Sequence, residues 1–213
     1  MNKSIDITIN APYSTSGEIT AQTKNIWLVC HGYGQLSEYF IKNFACLDAA
    51  HNYVIAPQAL SKFYIGGFTG RVGASWMTKF NREVEIENYI SLISTIYQNE
   101  IQDKDISNCK VILLGFSQGT ATITRWALTA GFHFDALVLW AGSFPHDVDH
   151  QAAAKLLAQK DFRLTIGTQD EYFNEKRIKD HIHHLNSYGL QPEVTIFEGE
   201  HKIYDDVLLE MGF

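Results

Sequence analysis

The chain has 213 residues, 46% hydrophobic and 19% charged, which is long enough for one sizeable core and short for two. The formal net charge is -7 and no basic cluster stands out, which argues against nucleic acid and against electrostatic docking on anionic membranes. We therefore expect a single domain over residues 1–213 and a small-molecule partner.

The N-terminus and the cysteines indicate the compartment. Residues 1–6 lack the apolar core of a signal peptide, and no apolar run approaches the length of a membrane span, so we expect no stable membrane anchor. Cys30, Cys46 and Cys109 are odd in number and widely spaced, so neither a disulfide framework nor a zinc pattern follows. A reducing cytoplasm is the expected location. The sequence leaves open a homodimer.

The first strands lead to a glycine-rich loop. Residues 5–9 alternate apolar and polar side chains, which predicts an edge strand before a turn-rich stretch. Residues 26–30 predict a buried strand that ends at His31-Gly32-Tyr33-Gly34. Glycines there let the main chain approach a substrate, so a backbone N–H could stabilise an oxyanion; a plain strand-to-helix loop is the alternative. We interpret His31 as a loop-stabilising side chain and Cys30 as a buried thiol.

Residues 58–79 follow the next buried strand, residues 53–57, and are long, rich in glycine and aromatic, and irregular in period. Loops of this length are usually functional or disordered, and the aromatic content argues against disorder. We predict one wall of an apolar pocket here, with Trp76 as the favoured substrate contact; simple packing over the sheet is the alternative. Whether the segment moves as a lid is open. Arg71 could orient a substrate carboxylate or form a surface salt bridge.

The apolar run at residues 111–116 predicts a strand buried on both faces, and it leads into Gly115-Phe116-Ser117-Gln118-Gly119 and a helix-compatible stretch. In such a sharp turn the serine is thrust clear of the sheet, and glycines two positions before and after it avoid collisions with neighbouring backbone. Ser117 would lie at a helix N-terminus, which favours an anion developing beside it. Taken alone, an ordinary Gly-Ser turn is an equal alternative.

Two further polar residues directly follow predicted strands. Asp170 comes after residues 162–166, where α/β sheets place functional groups, although a structural loop carboxylate is the alternative. His201 comes after residues 193–197. Phe144, beyond the strand at residues 136–140, could face the pocket. His181, His183 and His184 share a predicted helix without another ligand type, so we expect a solvated face and no metal site.

Ser117, Asp170 and His201 thus appear in the chain order of the α/β-hydrolase arrangement. Six strands alternating with helices predict an α/β fold with a mostly parallel central sheet, helices on both faces and no separate cap domain.

The sequence resembles the phospholipase/carboxylesterase group, which includes acyl-protein thioesterases, over nearly its whole length. The likeness rests on Gly-Phe-Ser-Gln-Gly, His-Gly-Tyr-Gly, Ser75-Trp76, Gly-x-x-Asp ending at Asp170 and Gly-x-His ending at His201. It implies Ser117 as nucleophile, His201 as base, Asp170 as orienting acid, and the backbone N–H groups of Tyr33 and Gln118 as oxyanion hole.

The chain departs from the group at Gln35, at Thr120 and in the glycine-rich residues 66–73, which affects the substrate more than the chemistry. The resemblance implies a cofactor-free serine hydrolase of carboxylic esters or thioesters of small or lipid-like molecules. An acyltransferase or peptidase with the same triad and a catalytically idle binding protein are the alternatives.

Overall fold

The chain is described by a computed structural model over residues 5–213; residues 1–4, part of the stretch without a signal-peptide core, lie outside it. The strands are β1 (Tyr13–Ser16), β2 (Asn25–Cys30), β3 (Asn52–Pro57), β4 (Ser61–Tyr64), β5 (Val72–Ser75), β6 (Lys110–Phe116), β7 (Ala136–Trp140), β8 (Asp161–Gly167) and β9 (Glu193–Phe197). The helices are α1 (Ser37–Phe40), extended by a 3₁₀ turn (Ile41–Phe44), α2 (Arg82–Ile101), α3 (Gln118–Thr129), α4 (His150–Leu157), α5 (Glu175–Ser187) and α6 (Asp205–Glu210). None of these helices is both long and apolar enough to cross a bilayer.

Seven strands form one sheet in the order β1-β3-β2-β6-β7-β8-β9. Only β1 is antiparallel to its neighbour, and the other six strands run parallel. These six are the strands predicted from the apolar runs, and the predicted α/β-hydrolase fold with a mostly parallel sheet is confirmed. Because all six parallel strands end at the same edge, the loops that follow β2, β6, β8 and β9 meet there.

The central strands are buried on both faces because helices cover both faces of the sheet. One apolar cluster joins alternate strand residues such as Leu28 and Leu113 to buried side chains of α2, α3, α4 and α5. The other joins Trp27 and Leu114 to side chains of α1, its 3₁₀ extension and α6. Successive residues of a strand therefore pack alternately into one cluster and the other. Both sets are buried, which explains the unbroken apolar runs in the sequence.

The edge strand lies later in the chain than predicted. Residues 5–9 form no strand, and Ile5, Ile7 and Ile9 are exposed by 86%, 76% and 50%. Instead β1 forms within the stretch predicted to be rich in turns. It pairs antiparallel with β3, and Tyr13 lies opposite Pro57. Alternation alone predicted the wrong segment because an edge strand is selected by its partner's free hydrogen bonds as much as by its own pattern.

Residues 58–79 are also more regular than predicted. They contain an antiparallel hairpin of β4 and β5, joined by a glycine-rich tip. The hairpin packs over the loop after β2: the Gly34 N–H donates to Ala74 O at 2.8 Å, and Gln35 bridges to Ala74. A Cβ added at Gly73 would lie 2.6 Å from Gly34 O, so glycine is needed for this close approach. The hairpin is thus attached to the edge of the sheet that holds the site.

Candidate active site

Ser117 lies on a sharp turn between β6 and α3. Its backbone has φ 54° and ψ -116°, a conformation that non-glycine residues rarely adopt and that costs of order 1–3 kcal/mol. The two flanking glycines make the turn possible. A Cβ at Gly115 would lie 2.4 Å from Gly119 O, and a Cβ at Gly119 would lie 2.1 Å from Cys30 O. The turn is therefore pressed against the end of β2, as the glycine spacing predicted.

Thr120, a departure from the family's usual glycine, has a specific place beside this turn. Its hydroxyl lies 2.8 Å from Ser117 O and 2.9 Å from Ser143 O. Across from it, a Cβ at Gly142 would lie 2.5 Å from the Thr120 hydroxyl oxygen. Thr120 thus links the serine turn to the loop after β7, and Gly142 leaves the room for it.

Asp170 and His201 are brought together at the ends of β8 and β9. His201 Nδ1 lies 2.6 Å from Asp170 Oδ2, and the Asp170 side chain is fully buried while that of His201 is 16% exposed. Because a carboxylate oxygen accepts, Nδ1 carries the proton and Nε2 is left as an acceptor. The neighbouring residue, Glu171, is exposed, and it is Asp170 that accepts the hydrogen bond from His201 Nδ1.

The loops after β8 and β9 are in close contact, which fixes the pair of Asp170 and His201. A Cβ at Gly167 would lie 2.2 Å from Gly199 O, and the Gln169 N–H donates to Gly199 O at 2.8 Å. The second oxygen of Asp170 accepts the Tyr172 N–H at 2.8 Å. Asp170 is therefore held at both oxygens, which fixes the orientation of the imidazole.

The imidazole lies beside the serine turn. The ring centroids of His201 and Phe116, the residue preceding Ser117, are 4.9 Å apart, and Tyr172 packs edge-on against His201 at 4.7 Å. Within residues 5–213 no hydrogen bond joins the Ser117 hydroxyl to His201. Contacts of this kind commonly tighten only when substrate is bound.

The loop after β2 also lies beside the serine turn, because a Cβ at Gly32 would lie 3.0 Å from the Phe116 ring. The Gly32 N–H donates to Gln35 Oε1 at 2.7 Å and the Gly34 N–H to Ala74 O, whereas the N–H groups of Tyr33 and Gln118 have no acceptor among the described residues. The Gln118 N–H is free because it lies in the first turn of α3. Both expected oxyanion donors are thus unengaged N–H groups near the turn.

His31 is buried beneath this loop as a neutral side chain. Its Nδ1 donates to Gly32 O at 2.8 Å and its Nε2 accepts the Ala59 N–H at 3.1 Å. Burial lowers the pKa of His31 from 6.5 to about 4. A neutral imidazole with both nitrogens engaged is a structural link between the loops after β2 and β3.

We expect His31 to lower the free energy of unfolding as the pH falls. Unfolded His31 binds a proton below about pH 6.5 but the folded side chain only below about pH 4, so protonation favours the unfolded state between these values. The difference corresponds to about 3 kcal/mol, present above pH 6.5 and lost toward pH 4. Urea unfolding at pH 7 and pH 4.5 should show a steeper loss for the wild-type protein than for His31→Gln. Equal losses, or an NMR titration of His31 near pH 6.5, would contradict this assignment.

The two expected substrate contacts are both buried. Trp76 is 3% exposed, and its indole packs 4.8 Å from the His31 ring and 6.1 Å from Tyr89. Phe144 is 7% exposed and packs edge-on against Phe162. Such burial favours packing roles over direct contact with an acyl chain, because little of either ring is left to touch a ligand.

Sequence reasoning gave no role to three side chains that shape the site. These are Gln118, whose side chain binds residues 75–77, Thr120 beside the serine turn, and Tyr172 beside His201. An aromatic residue two positions after a predicted triad acid was the one available signal, for Tyr172. The histidines of α5 are not part of the site, and within residues 5–213 no three His, Cys, Asp or Glu side chains are placed to hold a metal ion.

The parallel sheet, the serine turn after its central strand β6 and the paired Asp170 and His201 define an α/β hydrolase. A sequence model of one family within this class, phospholipase/carboxylesterase, matches residues 18–211. The chain belongs to that family, and the resemblance read from its motifs is confirmed. Membership supports an ester-hydrolysing activity. No curated protein sequence shows significant similarity to the chain.

Solved structures show the same fold at low sequence identity. Acyl-protein thioesterase 2 of Zea mays is 16% identical with a TM-score of 0.67, covering 95% of this chain and 96% of that one. A phospholipase/carboxylesterase of Dyadobacter fermentans is 16% identical with a TM-score of 0.61, covering 97% and 96%. SOBER1 of Arabidopsis thaliana is 18% identical with a TM-score of 0.62, covering 89% and 96%. In each of these three cases the matched region includes nearly the whole of the neighbour's chain.

Proposed function

We propose that the protein is a serine hydrolase that cleaves carboxylic esters or thioesters through an acyl-enzyme on Ser117. The observation that carries the proposal is the 2.6 Å hydrogen bond between buried Asp170 and His201, formed beside a serine held at positive φ. A buried carboxylate on Nδ1 leaves Nε2 free to act as a base, which is the arrangement that activates a serine hydroxyl.

In the first half of the reaction, His201 Nε2 accepts the Ser117 proton as the hydroxyl oxygen attacks the substrate carbonyl. Asp170 holds the imidazole and stabilises the imidazolium. The N–H groups of Tyr33 and Gln118 donate to the oxyanion, which is where preorganised donors contribute most to rate. His201 then protonates the leaving alcohol or thiol, and the acyl group remains on Ser117.

In the second half, a water molecule attacks the acyl-enzyme while His201 accepts its proton. The same N–H groups hold the second oxyanion, and collapse releases the carboxylic acid and restores the Ser117 hydroxyl. Every step uses side chains and main-chain groups of this chain, so the proposal includes no metal or organic cofactor.

We place the distal part of the substrate in a cavity of about 780 Å³ beside the oxyanion loop. One side is lined by Gly34, Gln35, Leu36, Glu38, Tyr39, Phe40 and Asn43, and the other by Gly70, Arg71 and Val72 near the hairpin tip. This volume is within the range of small-molecule sites, and its wall includes the segment that the sequence singled out for specificity. A smaller cavity of about 270 Å³ lies at the opposite end of the sheet, beside the start of β2.

Filling the cavity should change the acyl preference and leave the chemistry intact. Val72→Trp adds bulk at the cavity wall, and each methylene excluded from an apolar pocket is worth about 1–3 kcal/mol. Steady-state kinetics on p-nitrophenyl esters should show kcat/KM for long chains falling roughly 10–200-fold relative to acetate. Thr69→Trp, at the exposed tip of the same hairpin, is the matched control. An equal effect of both variants, or none of Val72→Trp, would place the substrate elsewhere.

A panel of ester and thioester substrates tests the proposed activity itself. The purified protein should hydrolyse activated esters with a burst of product equal to the enzyme concentration when deacylation is slow. Comparing oxygen and sulfur leaving groups at each chain length separates esterase from thioesterase preference. No turnover on any member, together with no covalent labelling of Ser117, would favour a binding protein that retains only the fold.

A further inference from the structure

The Gln118 side chain joins the serine turn to residues 75–77. Its Oε1 accepts the Trp76 backbone N–H at 3.0 Å, and its Nε2 donates to Met77 O at 3.0 Å and to the Ser75 hydroxyl at 3.0 Å. The Ser75 hydroxyl in turn donates to Met77 O at 2.8 Å. A single amide thus holds three consecutive residues that lie about forty positions earlier in the chain.

Trp76 continues this connection to the other side of the site. Its indole Nε1–H donates to His31 O at 2.8 Å, and the ring packs on the His31 imidazole. His31 immediately precedes the loop that carries the Tyr33 N–H, and it is fixed at both ring nitrogens. Hydrogen bonds therefore run from Gln118 through Trp76 to the loop after β2. We call these two side chains, with Ser75, the strut.

The strut connects the two segments of the chain that carry the proposed oxyanion donors. Gln118 contributes one N–H group from its own backbone, and the other lies on Tyr33, two residues after His31. The spacing between two such donors decides how well they match an oxyanion, because a misplacement of about 1 Å can cost 10²-fold in rate. Trp76 is 3% and Ser75 2% exposed, and the indole hydrogen bond to His31 O is buried, so water is kept from that bond.

We propose that Gln118 and Trp76, through their side chains, are positioning residues that set the distance between the two oxyanion donors. This inference rests on the proposed serine-hydrolase function and adds to it a role for side chains that touch no substrate. It also gives Trp76 a function compatible with its burial, since the indole N–H acts on the loop and the ring packs beneath it.

The indole hydrogen bond can be removed while the aromatic ring is kept. Trp76→Phe should lower kcat about 10–100-fold, somewhat less than removal of an oxyanion donor itself, with KM nearly unchanged. The fall should be the same for acetate and for long-chain esters. A boronic acid that forms a tetrahedral adduct on Ser117 should lose affinity by the same factor, because it places an oxygen in the oxyanion hole.

Trp126→Phe is the matched control. Trp126 is also buried, and its Nε1–H donates to the Ser94 hydroxyl at 3.0 Å, away from the oxyanion loop. It therefore loses a comparable hydrogen bond and should keep wild-type kcat and boronate affinity. A merely structural role for Trp76 would lower thermal stability in both variants and leave boronate affinity alone.

Gln118→Met provides a second variant that keeps the backbone N–H and approximates the size of the side chain. It should lower kcat and boronate affinity in the same way. Because both changes break one strut, Trp76→Phe combined with Gln118→Met should cost little more than either alone, whereas independent effects would add.

Three results would overturn the proposal. They are wild-type kcat in both single variants, a loss confined to long-chain esters, and strict additivity in the double variant. The second would restore Trp76 as an acyl contact. Labelling of the wild-type protein by a fluorophosphonate separates this proposal from the proposed function. If the wild type is labelled and active and the variants behave like it, only the positioning role of the strut is refuted. If the wild type is not labelled, the serine mechanism is refuted, and the positioning role with it.

Discussion

Replacing Ser117 with alanine is expected to abolish covalent labelling and lower kcat by about 10⁶-fold, the cost measured when a triad serine is removed. After reaction with a fluorophosphonate, intact-mass analysis of the wild-type protein should show one adduct and that of Ser117→Ala none. The physical reason is that, among the serines of residues 5–213, Ser117 alone combines a turn at positive φ, a helix N-terminus and a neighbouring imidazole.

Two other nucleophiles provide the controls for this experiment. Ser143 lies exposed on the loop after β7, and Cys30 is fully buried, which raises the pKa of its thiol. Ser143→Ala should label and turn over normally, and Cys30 should remain unmodified in the folded protein. An adduct that survives Ser117→Ala, or that maps to either of these residues, would refute the assignment. A melting temperature close to wild type in Ser117→Ala would show that the loss is not unfolding.

Replacing Asp170 with asparagine should cost about 10⁴ in kcat, because the amide no longer selects the tautomer that leaves Nε2 free. The fold should persist, since asparagine has the same shape and can still accept the Tyr172 N–H through its oxygen. Steady-state kinetics on an activated ester would measure the loss, and the fluorophosphonate reaction should slow in parallel.

Glu171→Gln is the matched variant, one residue away on the same loop. Glu171 is exposed and, among the described residues, forms no hydrogen bond to His201, so turnover should stay near the wild-type value. The opposite pattern, with Asp170→Asn active and Glu171→Gln inactive, would show that Glu171 and not Asp170 is the orienting acid. Similar moderate losses in both would indicate a general electrostatic effect without a dedicated orienting acid.

The sequence patterns predicted the parallel strands and the residues directly after them most accurately. The predicted bounds at residues 136–140 and 193–197 coincide with β7 and β9, and the others lie within one residue of the observed strands. Strands buried on both faces read as continuous apolar runs, so their position depends little on the rest of the chain. Asp170 and His201 could be placed near one another for the same reason, since both follow parallel strands.

The edge of the sheet and the hairpin were beyond the sequence patterns. Residues 5–9 show better alternation than β1, whose burial is low along its whole length, yet β1 has the partner. In residues 58–79 the glycines hide the hairpin, because Gly73 is needed for a close contact with Gly34 that only the folded chain creates. In both places pairing with a distant segment decides the structure.

The sequence by itself determined the fold class, the serine turn and the order of Ser117, Asp170 and His201, because these depend on local patterns of apolar residues, glycines and chain order. Only the tertiary structure showed the hydrogen bond between Asp170 and His201, the burial of Trp76 and Phe144, and the binding of residues 75–77 by the Gln118 side chain. The physical reason is that such contacts join residues 31 to 45 positions apart, and their geometry is fixed by packing that no local pattern records.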